Sequence, residues 1–419
     1  MEYKEAFLRV EQEKDYLIDI LKAMIAVNTC IPPGENYGRL ADVLEPELRS
    51  FGFETRRVLV PEEKYRQIPE PLSGERVNLL GILRNNRPRS SFYGHLDVVP
   101  VDDRWTVDPF TGTVKDGKLY GRGAVDMKGS IAAFLGAARV IREMGLEPRF
   151  QMECCFCTDE EVGVYPGARY LAEEGYFSNH LVWGELATVE AATLIGVNGA
   201  ARADILAVGR TCHSGMNWMG VNAIEEMVPV MQALLDLKKQ VEKKTSRIPA
   251  FPLPGAPSDK MTPMFNLTVL RGGFKDNVVP GECRLTINRR YIPEEKFEEV
   301  IAEIETAVKK GKAKSKLLDL KVDYYNLYSP VMIDPDSEAV KKMEVAAAAV
   351  WGYQHFLRGG ITASSDLGIV LEALRAEKPQ VVCCGLIRPG ITAAHGADEF
   401  VLVEDLIALT KQLVHYYVF

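Results

Sequence analysis

The sequence predicts an α/β fold, a mixed-sheet domain interrupted by an inserted α+β two-layer module. Three observations carry that expectation. Apolar runs that end in acids, RFQMECCFCTDEEVG and HLVWGE, alternate with helical segments, the layout of buried parallel strands. Near residue 196 the pattern changes to strand, helix, strand, strand, helix, which suits an independent two-layer module. After residue 313 the first pattern resumes. A chain of 419 residues also exceeds one ordinary core. The expected domains are therefore 1–195 with 314–419, and 196–313.

The elements follow in order. Leu17, Ile18, Ile20, Leu21, Met24 and Ile25 make a mixed helical face, and a second helix is expected from Tyr37 to Phe51, capped by Gly52. ETRRVLV, VNLLGIL and SSFYGHLDVVP read as strands with few helical residues between them, so the sheet should be mixed. A helix should begin directly after Asp126, because Ile131, Phe134, Leu135, Ala138 and Ile141 share one face. In the insert, AARADILAVGR, FNLTVLRGG and GECRLTINRRYIP read as strands. NAIEEMVPVMQALLDLKKQVEKK and EEKFEEVIAEIETAVKKG read as helices. Helices in SEAVKKMEVAAAAVWG, DLGIVLEALRA and VEDLIALTKQLVHYY, with a strand in PQVVCCGLI, complete the outer domain.

Composition removes several function classes. The net charge of −8 lacks the basic footprint of a nucleic-acid-binding protein. No run reaches the ~18 apolar residues of a membrane span. The opening MEYKEAFLRVEQEKDYLIDILKAMI mixes acids and bases, unlike a secretory signal. Five of eight cysteines sit in MECCFC and VVCCGL, where they read as buried free thiols, so a cytoplasmic protein is expected.

The chemistry concentrates at predicted strand ends. Of six histidines, His95 in YGHLDVVP and His395 in TAAHGADE stand in polar, Gly-flanked surroundings. His180, His355 and His415 read as surface or core residues. Asp126, Glu160, Glu161 and Glu185 occupy comparable positions, and ligands of α/β sheets gather at strand C-termini. Imidazoles with carboxylates suit Zn²⁺, Mn²⁺ or Co²⁺, as one ion or as a pair about 3.5–4 Å apart. Asp97, two residues past His95, is placed to orient a metal-bound imidazole.

These stretches resemble the M20 family of metallohydrolases, which includes acetylornithine deacetylase, succinyl-diaminopimelate desuccinylase, aminoacylases and glutamate carboxypeptidases. GHLDVVP, GRGAVDMKG, TDEEVG, WGE, HSGMNWMGVNAI, DNVVPGE and AHGADEFV carry the resemblance along nearly the whole chain. It implies that His95 is a ligand of one ion, that Asp126 bridges two, that Glu161 is a further ligand, and that Glu185 completes one ion's shell and His395 the other's. Glu160 would be the general base that takes a proton from the activated water and passes it to the departing amine. The insert would be a lid through which the protein forms a homodimer, with His213 stabilising the oxyanion in a partner subunit's site. Asn277 and Arg290 match positions that hold a substrate carboxylate, a task suited to a guanidinium fork. Arg289 should face the other way as a structural residue. Ser365, beside Asp366, and Gly360 fall in the segment that resembles the family's substrate-side loop.

The implied activity is hydrolysis of the amide C–N bond of a small carboxylate-bearing molecule such as an N-acyl amino acid. Competing readings are a dipeptide carboxypeptidase, an aminohydrolase releasing ammonia from an aromatic amino acid, and an inactive metal-holding binding protein. Retention of Glu160 beside a full ligand set speaks against the last. Departures fall in the pocket loops: Leu186, Ala187 and Thr188 replace the usual Pro-Thr, Asn217 stands where Pro is common, and Asn198-Gly199 replaces Lys-Gly.

Overall fold

The computed structural model describes residues 3–185, 191–252, 255–376 and 378–419. The chain divides into two compact units, Met1–Ile195 with Ile333–Gly359 and Ser365–Phe419, and Gly196–Met332 with Gly360–Ser364.

The first unit is built on a six-stranded sheet. Its order is Glu54–Leu59, Val77–Leu83, Gln151–Cys157, Arg89–His95, His180–Trp183 and Gln380–Cys383. The first two strands run antiparallel to their neighbours and the other pairings are parallel, as a mixed sheet requires. The central strands are buried along nearly their full length, which accounts for their continuous apolar runs. Helix Lys128–Glu143, almost wholly buried, packs beside Val403–Val418 and Lys14–Ile25. Gly94, on the strand Arg89–His95, lets the helix Lys128–Glu143 lie close against the sheet, since a Cβ there would meet Ile131 Cγ1 at 2.7 Å.

The second unit is a four-stranded antiparallel sheet ordered Met264–Gly272, Glu282–Tyr291, Gly199–Val208 and Asp319–Tyr328. Helices Ala223–Val241 and Phe297–Lys312 pack together, and the core includes Ile205, Met227, Leu234, Leu285, Ile287 and Ile304. The alternation of buried and half-buried residues along Gly199–Val208 is that of a sheet with one covered face. This unit runs past residue 313, where the sequence suggested that it ends. Asp319–Tyr328 adds a fourth strand at the sheet edge, and in its sequence DLKVDYYNLY the residues Leu320, Val322 and Tyr324 alternate with charged ones, a period-2 pattern and not a continuous apolar run.

Candidate metal centre

Three of the parallel strands of the first unit deliver an acid or imidazole at the C-terminal end. His95 closes the strand Arg89–His95, Glu160 and Glu161 follow Gln151–Cys157, and Glu185 follows His180–Trp183. Asp126 precedes the helix Lys128–Glu143, and His395 lies on the loop before the strand Phe400–Leu402. These residues, scattered over 300 positions, converge at one edge of the sheet as the sequence suggested.

Asp126 stands at the centre. His95 Nε2 lies 3.2 Å from Asp126 Oδ1, and His395 Nε2 lies 3.2 Å from Asp126 Oδ2. His395 Nε2 is also 3.2 Å from Glu161 Oε1. Two donor triads therefore share one carboxylate, His95–Asp126–Glu185 and Asp126–Glu161–His395, each with its ligand atoms within 4.8 Å of one another. Glu160 belongs to neither Asp126 triad. It falls in a group with His95 and Glu161 and in another with Glu185 and Asp366.

The chemistry of this donor set fits divalent cations. His95 Nδ1 donates to the Asp97 carbonyl at 3.0 Å, which puts one ring proton there and turns Nε2 to a carboxylate oxygen across a proton or a cation. Two acceptors face each other at such a distance only around a shared proton or cation. Asp126, Glu160, Glu161, Glu185 and Asp366 bring five carboxylates to two imidazoles, an excess of negative charge even with both rings protonated.

The electrostatics agree. Burial pushes Glu160 well above the usual carboxylate range, and the Glu185, Asp366 and Glu161 carboxylates push it further. Glu185 and Glu161 are raised for the same first reason. Asp126 goes the other way: burial opposes its charge, but hydrogen bonds from His395 and His95 hold it well below its ordinary value. Hydrogen bonds to Asp126 and Glu161 push His395 up to about 11 against the effect of burial.

Supporting residues refine the picture drawn from sequence. Asp97 was expected to orient His95 through its carboxylate, on the same side of a continuing strand. The strand ends at His95, so the backbone carbonyl of Asp97 does the orienting, while Asp97 Oδ2 accepts from Glu161 N at 2.9 Å. Asp97 Oδ1 is left without a hydrogen-bond partner 3.8 Å from His95 Nδ1.

Ser365 is fully buried. It donates to Glu185 Oε2 at 3.0 Å and accepts from Trp183 Nε1 at 3.2 Å, so it braces a carboxylate of the candidate centre. Its neighbour Asp366 accepts from Tyr93 Oη at 3.0 Å and donates its backbone N–H to Glu160 Oε1 at 3.3 Å. Burial brings the Asp366 carboxyl up to about 7. Sequence reasoning placed Asp366 near substrate and missed that it braces Glu160.

A third support lies under the DEE turn. Asp159 adopts the left-handed conformation with φ 66° and accepts from Tyr37 Oη at 3.0 Å and Arg76 Nε at 3.2 Å. The Arg76 side chain is fully buried, caps the Pro33, Ser73 and Gly74 carbonyls, and lies over the Tyr65 ring. Nothing in the sequence alone joins Arg76 to Asp159.

The remaining candidates lie in the second unit. His213 pairs with Val278 across two short strands, which sets it near Asn277; it is exposed, and its Nδ1 accepts from Gly215 N at 3.0 Å. Asn277 accepts from Ser214 N through its carbonyl, and its half-buried side chain leaves Oδ1 unpartnered. Arg290, half-buried, donates to Ser364 Oγ at 2.6 Å. Arg289 is buried and paired with Glu295 Oε1 at 2.6 Å, the structural role expected of it.

Gly360 was expected to offer its backbone to a ligand. Its N–H donates to Pro249 O at 2.8 Å and its carbonyl accepts from Phe251 N at 3.1 Å. A Cβ there would lie 2.1 Å from Met261 Sδ and 2.8 Å from Gly196 O, so close packing explains the glycine. The altered loop at Leu186, Ala187 and Thr188 lies outside the described residues.

Known proteins place this arrangement in a family. The chain is 26% identical over 446 aligned positions to N-formyl-4-amino-5-aminomethyl-2-methylpyrimidine deformylase of Bacillus subtilis, covering 97% of this chain and 95% of that one. It is 30% identical to the succinyl-diaminopimelate desuccinylase of Parvibaculum lavamentivorans over 65% of this chain and 66% of that one. Human carnosine dipeptidase 1 superposes with a TM-score of 0.79 at 19% identity, covering 100% of this chain and 98% of that one. The dipeptidase Dug1p of Saccharomyces cerevisiae gives 0.81 at 16%, covering 99% and 98%. Both show the same fold. The model of "Peptidase family M20/M25/M40" matches residues 91–417, which hold every residue of the two donor triads, and the chain belongs to that family of hydrolases of C–N bonds.

Proposed function

We propose that the protein removes an acyl group from the nitrogen of a small carboxylate-bearing molecule, an N-acyl amino acid being the plainest case. The observation that carries this reading is the pair of donor triads sharing Asp126 with Glu160 beside them. Divalent ions held by His95, Asp126 and Glu185 and by Asp126, Glu161 and His395 would acidify a water molecule and polarise the amide carbonyl. Zn²⁺ is the expected ion, with Mn²⁺ and Co²⁺ compatible with the same donors.

Glu160 takes a proton from the attacking water and returns it to the amine nitrogen as the C–N bond breaks. Asp366 N–H, bonded to Glu160 Oε1, keeps that carboxylate aimed. In the second unit, Arg290 and Asn277 would offer a cation and an amide to a carboxylate, and His213 would offer an imidazole to the oxyanion in a partner subunit's site. Both named relatives remove an acyl group from an amine, formyl in one and succinyl in the other, which favours deacylation over dipeptide cleavage. The dipeptidases share the fold alone.

The second unit also supports a homodimer formed through it. Trp218 and Phe274 are 77% and 83% exposed beside one open cleft, large aromatic surfaces that a partner copy would cover. No described helix is long and apolar enough to cross a membrane.

The test is amine or ammonia release from N-formyl, N-acetyl and N-succinyl amino acids, dipeptides and aminobenzoates, each with Zn²⁺, Mn²⁺ or Co²⁺ and with chelator. Metal-dependent turnover of the N-acyl compounds supports the reading. Ammonia release from an aminobenzoate with the acyl compounds intact would replace it by the aminohydrolase reading.

A further inference from the structure

The loop that carries His395 is held in an unusual backbone path. Ala393, His395 and Asp398 all have positive φ, at 53°, 62° and 54°. Such a loop keeps its shape only when the surroundings impose it. Two contacts do so within the first unit. Asp398 accepts from Thr106 N and Thr106 Oγ1, both at 2.8 Å, near the surface. Deeper, Arg122 Nη2 donates to the His395 carbonyl at 3.3 Å.

Arg122 is itself one half of a buried ion pair. Its Nη1 donates to Glu399 Oε2 at 2.6 Å, and both side chains are almost completely inaccessible. The other oxygen, Glu399 Oε1, accepts from the backbone N–H groups of Val125 at 2.9 Å and Asp126 at 3.2 Å. One pair thus grips the backbone of Asp126 on one side and of His395 on the other. A buried pair of this kind is a poor source of net stability, since hydrophobic replacements often serve as well. Its geometry instead serves placement.

We propose that Arg122 and Glu399 are positioning residues that set the spacing between Asp126 and His395, and so the affinity of the ion site formed by Asp126, Glu161 and His395. His95 and Glu185 are fixed by the central strands and take no hydrogen bond from this pair. Asp126 belongs to both sites, so the Arg122 bond to His395 is what separates them, and the effect should fall mainly on the site that includes His395. This inference rests on the two-ion reading of the centre.

The experiment is calorimetric titration of the chelated full-length protein with Zn²⁺, for the wild type, Arg122→Lys and Glu399→Gln. Arg122→Lys keeps the charge opposite Glu399 but loses the fork that reaches the His395 carbonyl. The expected result is one ion bound as in the wild type and the other weakened 10–100-fold, the range found when groups behind metal ligands are removed. If Glu399→Gln fails to fold, Arg122→Lys alone decides. Folded variants that bind both ions like the wild type, or that lose both equally, would overturn the inference while leaving the two-ion centre intact. A wild type that binds no ion would overturn both.

Discussion

Replacing Glu160 by Gln isolates the chemistry from the architecture. The amide has the shape of the carboxylate, so its Oε1 can still accept the Asp366 N–H now found at 3.3 Å. Neither Asp126 triad includes Glu160, so both ions should remain. What disappears is a base whose proton affinity burial and three neighbouring carboxylates raise. A positioned general base contributes about 10²–10⁴-fold, or about 2.7–5.4 kcal/mol of transition-state stabilisation. The assay is initial-rate amine release from the best N-acyl substrate, paired with metal analysis of the same protein sample. The reasoning predicts kcat reduced by that factor, full metal content and little change in KM. A variant retaining more than a tenth of wild-type kcat with both ions bound would refute the role given to Glu160.

Other perturbations probe the supports and the corrected assignments. Arg76→Met strands the Asp159 carboxylate in a fully buried site and should cost about 3–5 kcal/mol in urea unfolding. Gly360→Ala forces a Cβ against Met261 Sδ and should cost about 1–3 kcal/mol while leaving KM unchanged, whereas Arg290→Ala should raise KM at least tenfold; equal effects on KM would restore Gly360 as a ligand contact. His180, bonded to Ser90 and Tyr416, is pushed down to about 4 by burial and by Lys342. Its folded value lies below its ordinary 6.5, so its contribution is complete above pH 6.5 and is lost as pH falls towards 4, on the order of 3 kcal/mol. Unfolding free energies measured at pH 7.5 and 5 should therefore differ less in His180→Gln than in the wild type.

Most residues of the candidate centre were legible because they stand at the end of an apolar run, where chain pattern alone marks a strand terminus. His95, Asp126, Glu160, Glu161, Glu185 and His395 are all of this kind or lie in motifs resembling the family. The residues behind them were not legible. Arg122 and Glu399 lie 277 positions apart, and Arg76 and Asp159 lie 83 apart; only folding brings them together. Ser365 and Asp366 were noticed as a segment, but their bonds to Glu185, Trp183, Tyr93 and Glu160 were not, since sequence does not show which way a loop side chain points. Asp97 failed a periodicity argument because the strand stops two residues too soon. The edge strand Asp319–Tyr328 escaped for another reason: with half its residues facing outward, it shows no apolar run.

The most direct test of the central claim is to restore Zn²⁺ stepwise to the chelated protein and follow N-acyl hydrolysis against ions bound per chain. The account predicts no turnover in the metal-free protein and a plateau at two ions per chain, with Asp126→Ala silent at every step. Turnover that persists without metal, or that survives loss of Asp126, would contradict it.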